Sequence, residues 1–282
     1  MSVQYGLLQP EQLPAYSPLI PSDLRQQQET LYFIGAVQDH HACGVLVFRA
    51  DEMTADILHI AVSESYQRQG IADGLLSFLC EYAGETSTAV LCTFAAADRD
   101  DPLCRLLTHR GDFTLEESEG FICRVSCADL EDVDLDLAPP ADHQIMPFYR
   151  LPDELQHDFF SRLENEHPQH AQGLINSEDD MLDPLCLCSV ENSTVQSVVF
   201  CQGLDGDVML SFAYACPNQT RSLIALVSYL RTVLLRASDK VPYLWIAAVT
   251  AESQRLVNTL LPQREIVKSF YTACWDMNTM GG

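Results

Sequence analysis

A short polar turn between a buried strand and a glycine-opened helix is the part of this sequence best suited to chemistry. The turn reads Ser63-Glu64-Ser65-Tyr66-Gln67-Arg68-Gln69 and is followed by Gly70. Apolar residues then recur at helical spacing, at Ile71, Leu75, Phe78, Leu79 and Tyr82. The start of a helix directs free backbone N–H groups and the positive end of the helix dipole at one point. Because Gly70 and Ala72 leave this backbone accessible, the segment predicts a diphosphate-binding turn.

The residues of this turn carry a resemblance to a known family. Gln67-Arg68-Gln69-Gly70-Ile71-Ala72 matches the signature Gln/Arg-x-x-Gly-x-Gly/Ala and resembles the GNAT superfamily of acetyltransferases. The context is similar as well, since the preceding strand ends in Ala61-Val62 and the helix contains the pair Leu75-Leu76. The resemblance extends over residues 1–127. It implies that the chain uses acetyl-CoA as cosubstrate and transfers its acetyl group to an amine.

The resemblance also implies which residues hold acetyl-CoA. The backbone at the end of the strand would pair with the pantetheine arm, and the turn with the first helical residues would hold the pyrophosphate. The predicted cofactor-binding residues are Ile60, Ala61, Val62, Gln67, Arg68, Gln69, Gly70, Ile71, Ala72 and Asp73. The sequence leaves two roles open for the side chain of Arg68: a charge-assisted contact with phosphate, or a position in solvent.

Two ionisable residues on the strand 55–62 are candidates for the general base. They are Asp56 and His59, and strand alternation predicts that they lie on opposite faces of the sheet. Asp56 resembles the glutamate base of some lysine-acetylating GNAT enzymes in position. His59 has the ordinary pKa closer to neutrality. The sequence leaves the choice between them open.

One position departs from the family pattern. Leu107 stands where many GNAT enzymes carry a tyrosine that protonates the departing thiolate. Cys104, His109 or solvent is then left to do this work. The departure keeps open a second interpretation, in which the chain is a non-catalytic CoA-binding sensor or assembly protein. A third interpretation is an unrelated α/β phosphate-binding protein.

The order of elements predicts two copies of one fold. The length of 282 residues suits two domains. We predict a first domain at 1–130, an acidic proline-containing linker at 131–142 and a second domain at 143–282. The expected class is α/β, with a mixed, mostly antiparallel central sheet flanked by helices, in tandem. This prediction rests on a strand, helix and strand at 208–214, 223–235 and 243–248, which repeat the pattern around the turn.

The second copy is expected to be degenerate. In an alignment without gaps, Arg221 falls on Gly70 and Leu223 falls on Ala72. Side chains at these positions fill the space that a phosphate needs. We therefore expect only the first copy to bind CoA in the usual way.

The charge of the chain narrows the class of partner. A net charge of -24, from 40 acidic and 16 basic side chains, repels nucleic acid and anionic membranes. The same field attracts a small cationic amine or a basic peptide as acceptor. The sequence leaves the oligomeric state open.

Cysteine and histidine usage give two further expectations. The 11 cysteines lie mostly in apolar runs, and the amino terminus lacks a signal-peptide pattern, which favours the cytoplasm. Five histidine and glutamate residues cluster near one predicted helix end: His157, Glu164, Glu166, His167 and His170. We interpret them as a solvated helix end and expect no metal, because the spacing fixes no ligand geometry.

Overall fold

The chain forms two compact units in a computed structural model that describes residues 2–86, 89–133, 135, 138–166 and 181–276. Unit 1 comprises residues 1–119 and 268–282, and unit 2 comprises residues 120–267. The division differs from the one drawn from the sequence. Leu130, Val133 and Leu135, in and beside the expected linker, are buried in the core of unit 2. The expected α/β class with a mostly antiparallel sheet is confirmed.

The amino-terminal part of the chain supplies most of unit 1. Its elements are β1 (Gln4–Leu7), a 3-10 helix (Pro10–Leu19), α1 (Ser22–Gln26), β2 (Tyr32–Gln38), β3 (His41–Ala50), β4 (Thr54–Val62), α2 (Ile71–Thr86), β5 (Ala89–Ala96), α3 (Pro102–Arg110) and β6 (Thr114–Ser126). The strand, turn and helix predicted around Gly70 are confirmed. β6 passes from unit 1 into unit 2 after Glu119.

The rest of the chain supplies unit 2 and one strand of unit 1. The elements are β7 (Gln144–Pro147), α4 (Asp153–Glu166), β8 (Leu187–Glu191), β9 (Thr194–Leu204), β10 (Asp207–Ala215), α5 (Thr220–Arg236), β11 (Tyr243–Ala248), α6 (Ala251–Leu260) and β12 (Glu265–Trp275). The strand, helix and strand predicted at 208–214, 223–235 and 243–248 are β10, α5 and β11. The sequence prediction missed β7, β8 and β9.

The last strand completes the sheet of unit 1. Strand order there is β1-β2-β3-β4-β5-β12-β6, and β12 pairs antiparallel with β5 from Ser269↔Ala96 to Trp275↔Val90. Ala273 and Trp275 are buried in the core of this unit. Burial of these side chains, together with the main-chain ladder, explains why β12 belongs to unit 1 although the sequence suggested the second domain.

The helix α2 covers one face of the unit 1 sheet. Its buried residues Ile71, Leu75 and Leu79 recur at helical spacing and pack on the strands. Each such side chain contributes roughly 1.5–3 kcal/mol on burial. Gly44 on β3 permits the close approach, because a Cβ there would lie 2.8 Å from Ile71 Cγ2. The 3-10 helix covers the opposite face, where Tyr16 is buried. The packing of its apolar side chains thus fixes the position of α2 on the sheet.

The sheet of unit 2 has the order β6-β11-β10-β9-β8-β7. Helices α5 and α6 pack on one face, with Leu230 and Val257 in a shared apolar core. Helix α4 packs on the other face against an aromatic cluster that contains Phe148, Phe159 and Phe200. None of the described helices is long and apolar enough to cross a membrane.

Candidate functional site

Strands β4 and β5 separate in the middle of the unit 1 sheet. They pair in parallel from Thr54↔Ala89 to Ile57↔Cys92, and no pair beyond these joins them among the described residues. From that point β4 stays with β3 up to Val62, and β5 stays with β12. The facing edges of the two strands therefore present unpaired main-chain groups. An extended ligand with amide groups can satisfy them.

A β-bulge in β4 accompanies this separation. Ile57 pairs with Phe48 and His59 pairs with Val47, so Leu58 has no partner on β3. A bulge inserts one residue and shifts the alternation of side chains beyond it.

The bulge brings the two base candidates to one face of the sheet. Asp56 lies opposite Arg49 and His59 lies opposite Val47. Residues directly opposite each other share a face, and Arg49 and Val47 are two apart on β3, so they share a face as well. Asp56 and His59 therefore lie on the same side. The expectation of opposite faces was wrong because it assumed an unbroken alternation.

His59 is held in one tautomer by a main-chain carbonyl. Its Nε2 lies 2.8 Å from the carbonyl oxygen of Leu19, the last residue of the 3-10 helix. Because a carbonyl only accepts hydrogen bonds, Nε2 carries the hydrogen and Nδ1 keeps a lone pair. The ring is half-buried. This geometry leaves Nδ1 able to accept a proton.

Asp56 is half-buried on the same face. Burial raises the pKa of its carboxyl, while the nearby charge of Arg49 lowers it and that of Asp51 raises it. The net direction is upward, since removal from water penalises the charged form.

The turn at residues 63–70, here called the Gly70 turn, presents free main-chain donors. Arg68 and Gly70 have left-handed φ values of 62° and 79°. The N–H of Gly74 donates to the carbonyl oxygen of Gly70 at 2.9 Å, whereas the N–H groups of residues 68–73 donate to no other described residue. A Cβ added at Gly70 would meet no atom within 4 Å. Open space and unpaired donors together make an anion site at the start of α2.

The side chains of the predicted cofactor-binding residues have mixed roles in this geometry. Ile71 is fully buried in the core, so only its main chain faces the site. The Gln67 amide donates to the Val62 carbonyl oxygen at 3.2 Å, and the Gln69 amide donates to that of Ser65 at 3.3 Å. Both glutamines thus stabilise the Gly70 turn itself.

Arg110 links the end of α3 to the start of α2. Its Nη1 donates to Asp73 Oδ1 at 2.6 Å and to Ser77 Oγ at 3.0 Å, and its Nη2 pairs with Asp112 at 2.7 Å. Burial works against ionisation, but the carboxylates of Asp112 and Asp73 outweigh it and raise the pKa of Arg110. The arginine neutralises Asp73 next to the anion site. The sequence analysis did not predict this contact, because Arg110 and Asp73 are 37 residues apart in the chain.

Leu107 at the tyrosine position and the two candidate substitutes, Cys104 and His109, differ in burial. Leu107 is fully buried in the core. Cys104 is also fully buried, and burial raises the pKa of its thiol. His109 is exposed on α3. Among these three, only His109 is open to solvent.

Unit 2 repeats the separated strands and the bulge. β10 and β11 pair in parallel from Val208↔Leu244 to Leu210↔Ile246, and Ser211 is the unpaired bulge residue. The positions that correspond to His59 and Asp56 are occupied by Phe212 and Met209. Unit 2 therefore has neither ionisable group at the corresponding place.

The turn before α5, residues 216–219, differs from the Gly70 turn. α5 begins at Thr220, so Arg221 is already helical. The buried Leu226 and Leu230 correspond to Leu75 and Leu79 in the same ungapped alignment that places Arg221 on Gly70. The N–H groups of Cys216, Gln219, Ser222 and Leu223 all donate to main-chain carbonyls, and Pro217 has none. Few donors remain for an anion.

The described residues contain no group of three or more His, Cys, Asp or Glu arranged to hold a metal ion. Of the histidines considered for a metal, His157 is exposed on α4. His167 and His170 lie outside the described residues.

Comparisons with known proteins agree with this geometry. Residues 4–111 match the sequence model of the Acetyltransferase (GNAT) family. No curated protein was found to match the chain.

Solved structures share the fold over nearly the whole chain. A tandem GNAT protein from the clavulanic acid biosynthesis pathway is similar with a TM-score of 0.64 at 14% identity, covering 98% of both chains. A GCN5-related N-acetyltransferase from Sphaerobacter thermophilus has a TM-score of 0.55 at 13% identity, covering 97% of this chain and 95% of its own. One from Anabaena variabilis has a TM-score of 0.56 at 12% identity, covering 96% and 72%. Residues 4–111 are thus a GNAT-family domain, in a chain that has the fold of tandem GNAT proteins.

Proposed function

We propose that unit 1 binds acetyl-CoA and transfers the acetyl group to a primary amine in a ternary complex. The observation that carries the proposal is the Gly70 turn, whose free N–H groups lie at the end of β4 where the strand has left β5. The separated edges suit the amides of a pantetheine arm, and the turn suits a diphosphate. Residues Ile60–Val62 and 67–73 would hold acetyl-CoA, chiefly through their main chain.

His59 is the proposed general base. The tautomer set by Leu19 leaves Nδ1 able to take a proton from the ammonium of the acceptor, directly or through a water. The neutral amine then attacks the thioester carbonyl carbon, so that a C–N bond forms and the C–S bond breaks, and the attacking nitrogen releases its surplus proton to solvent. The departing thiolate takes a proton from solvent. No covalent enzyme intermediate is needed.

Asp56 is proposed to attract the acceptor. Its carboxylate lies on the same face as His59, and the whole chain carries a net charge of -24. A small cationic amine or a basic peptide is therefore the favoured acceptor class.

The chain is proposed to work in a reducing compartment, the cytoplasm. All 11 cysteines are free, and those other than Cys216 and Cys274 are buried. Buried thiols of this kind behave as small apolar side chains.

Calorimetric titration with acetyl-CoA tests the cofactor part of the proposal. We expect one binding site per chain, competed by CoA. Absence of binding at millimolar acetyl-CoA to the folded chain would overturn it.

A panel of amines tests the reaction. Polyamines, aminoglycosides, amino acids and basic peptides are incubated with acetyl-CoA and the protein, and acetylated products are detected by mass. We expect turnover with a cationic member. Tight acetyl-CoA binding without turnover of any class would favour the non-catalytic sensor, an alternative supported by the buried Leu107 at the tyrosine position.

A further inference from the structure

Unit 2 contains a cavity of about 310 Å³ where β10 and β11 diverge. Its volume lies at the lower end of small-molecule sites, which span roughly 300–1,000 Å³. The floor is formed by the buried side chains of Leu230, Leu244 and Val257. Val249, with 55% of its surface exposed, lies at the solvent-facing side. The cavity thus combines an apolar floor with access from solvent.

The walls come from elements that surround the diverging strands. They include Leu210 of β10, Val227 of α5, Ile246 of β11 and Leu256 of α6. These apolar side chains around the two diverging strands suit a narrow alkyl chain, because the transfer of each methylene group out of water is favourable.

Arg231 gives the cavity one positive charge. It is the sole charged residue that lines the cavity among the described residues. Its Nε donates to the carbonyl oxygen of Leu130 at 2.6 Å and its Nη2 to that of Glu131 at 2.8 Å. Within the described part of the chain no carboxylate pairs with this guanidinium. An anionic ligand would stabilise a half-buried guanidinium whose described contacts are neutral carbonyls.

The turn 216–219 suits a CoA diphosphate less well than the Gly70 turn does. The N–H groups of Cys216 and Gln219 donate to main-chain carbonyls and Pro217 has none, which leaves that of Asn218. We therefore expect the ligand to be held by an alkyl chain in the cavity and by a small anionic group.

We propose that unit 2 binds a straight-chain fatty acid of medium length, with the alkyl chain in the cavity and the carboxylate at Arg231. The site is independent of the acetyl-CoA site proposed in unit 1. Failure of either assignment is therefore separable from failure of the other.

Titration of the full chain with hexanoate, octanoate and decanoate tests the chain length. We expect the Kd to fall by about four-fold for each added methylene until the cavity is full. At low salt, octanoate should bind more tightly than 1-octanol, because only the acid pairs with Arg231. Saturating acetyl-CoA should leave the octanoate affinity unchanged. Equal affinities for all three acids, or no heat from decanoate at millimolar concentration, would overturn the proposal.

Matched variants test the location. Val227→Trp fills the cavity and should weaken octanoate binding by at least about ten-fold. Val241→Trp is the control, since Val241 packs on the same core without lining the cavity. Leu256→Trp, at another half-buried wall position, serves if Val227→Trp fails to fold. Arg231→Gln should remove the advantage of octanoate over 1-octanol. Octanoate affinity that is the same in folded cavity-filled and control variants contradicts the assignment.

Discussion

Each unit contains two parallel strands that separate part-way along their length, here called the strand wedge. The two units differ in what surrounds this wedge. In both, a parallel strand pair separates at a β-bulge, at Leu58 in unit 1 and at Ser211 in unit 2. Unit 1 adds a turn with unpaired N–H groups and an oriented histidine. Unit 2 adds a turn in which the N–H groups of Cys216 and Gln219 donate to main-chain carbonyls and Pro217 has none, and it has Phe212 at the histidine position. The separated strands therefore do not distinguish the two units; the turn and the side chains beside it do.

The largest expected effect is a loss of acetyl-CoA affinity when the Gly70 turn is altered. Gly70→Glu places a carboxylate and a side chain at the free donors, so acetyl-CoA affinity should fall at least about 100-fold, because several charge-assisted hydrogen bonds worth roughly 1.5–3 kcal/mol each are lost. The measurement is calorimetric titration. Gly206→Glu is the control, because Gly206 also has a positive φ and open space around it but lies between β9 and β10. Similar losses in both variants would remove the Gly70 turn from the binding site.

The second effect concerns the base. His59→Ala should lower kcat by about 10²–10⁴ while the Kd of acetyl-CoA stays unchanged, because the variant loses only the proton acceptor. His41→Ala, an exposed histidine at the start of β3, should behave as wild type. Rates are measured with the best amine of the panel. If kcat were unaffected by His59→Ala, His59 would not be the general base, and unit 1 would resemble unit 2 in having no base at this position.

The third effect concerns Arg110, which fixes the start of α2. Arg110→Met leaves the Asp73 carboxylate unneutralised beside the anion site, so acetyl-CoA binding should weaken by about ten-fold. Losing this largely buried cation should also lower the Tm by about 2–10 °C.

Arg105→Met on the same helix is the matched control. Arg105 pairs with Asp100 at 3.0 Å, but both side chains are mostly exposed, so both readouts should stay near wild type. Thermal unfolding and titration report them. Equal changes in both variants would indicate that surface charge, and not the contact with Asp73, is responsible.

The smallest effect is the pH dependence at Asp56. Its pKa is raised by burial, so the folded state binds this proton more tightly than the unfolded state. The resulting stabilisation is present below the ordinary value of 3.8 and is lost as pH rises through the folded pKa. Asp56→Asn should therefore raise the Tm by about 1–3 °C at pH 7, with the gain vanishing towards pH 4.

Asp51→Asn provides a control of opposite sign. The main-chain N–H groups of Met53 and Thr54 donate to Asp51 and lower its pKa. Its contribution is present above 3.8 and is lost as pH falls through the folded pKa, so Asp51→Asn should lower the Tm at pH 7. A Tm that rises in both variants would mean that general charge repulsion dominates.

The sequence by itself determined the Gly70 turn, its strand and its helix. These features are local: a glycine, a polar turn and apolar residues at helical spacing are adjacent in the chain, and α2 begins at Ile71 as the pattern requires. The degenerate character of the second copy was also predicted, from Arg221 and Leu223 in place of Gly70 and Ala72. The buried Leu226 and Leu230, which correspond to Leu75 and Leu79 in that alignment, agree with it.

Only the tertiary structure decided which groups meet. The bulge at Leu58 depends on pairing with β3, so alternation along β4 placed Asp56 and His59 on opposite faces when they share one. The contact of Arg110 with Asp73 joins two helices, and the insertion of β12 beside β5 joins residues far apart in the chain. These contacts are set by strand pairing between distant residues and by the burial of residues such as Trp275. The periodicity of the sequence does not indicate which distant element such a residue packs against.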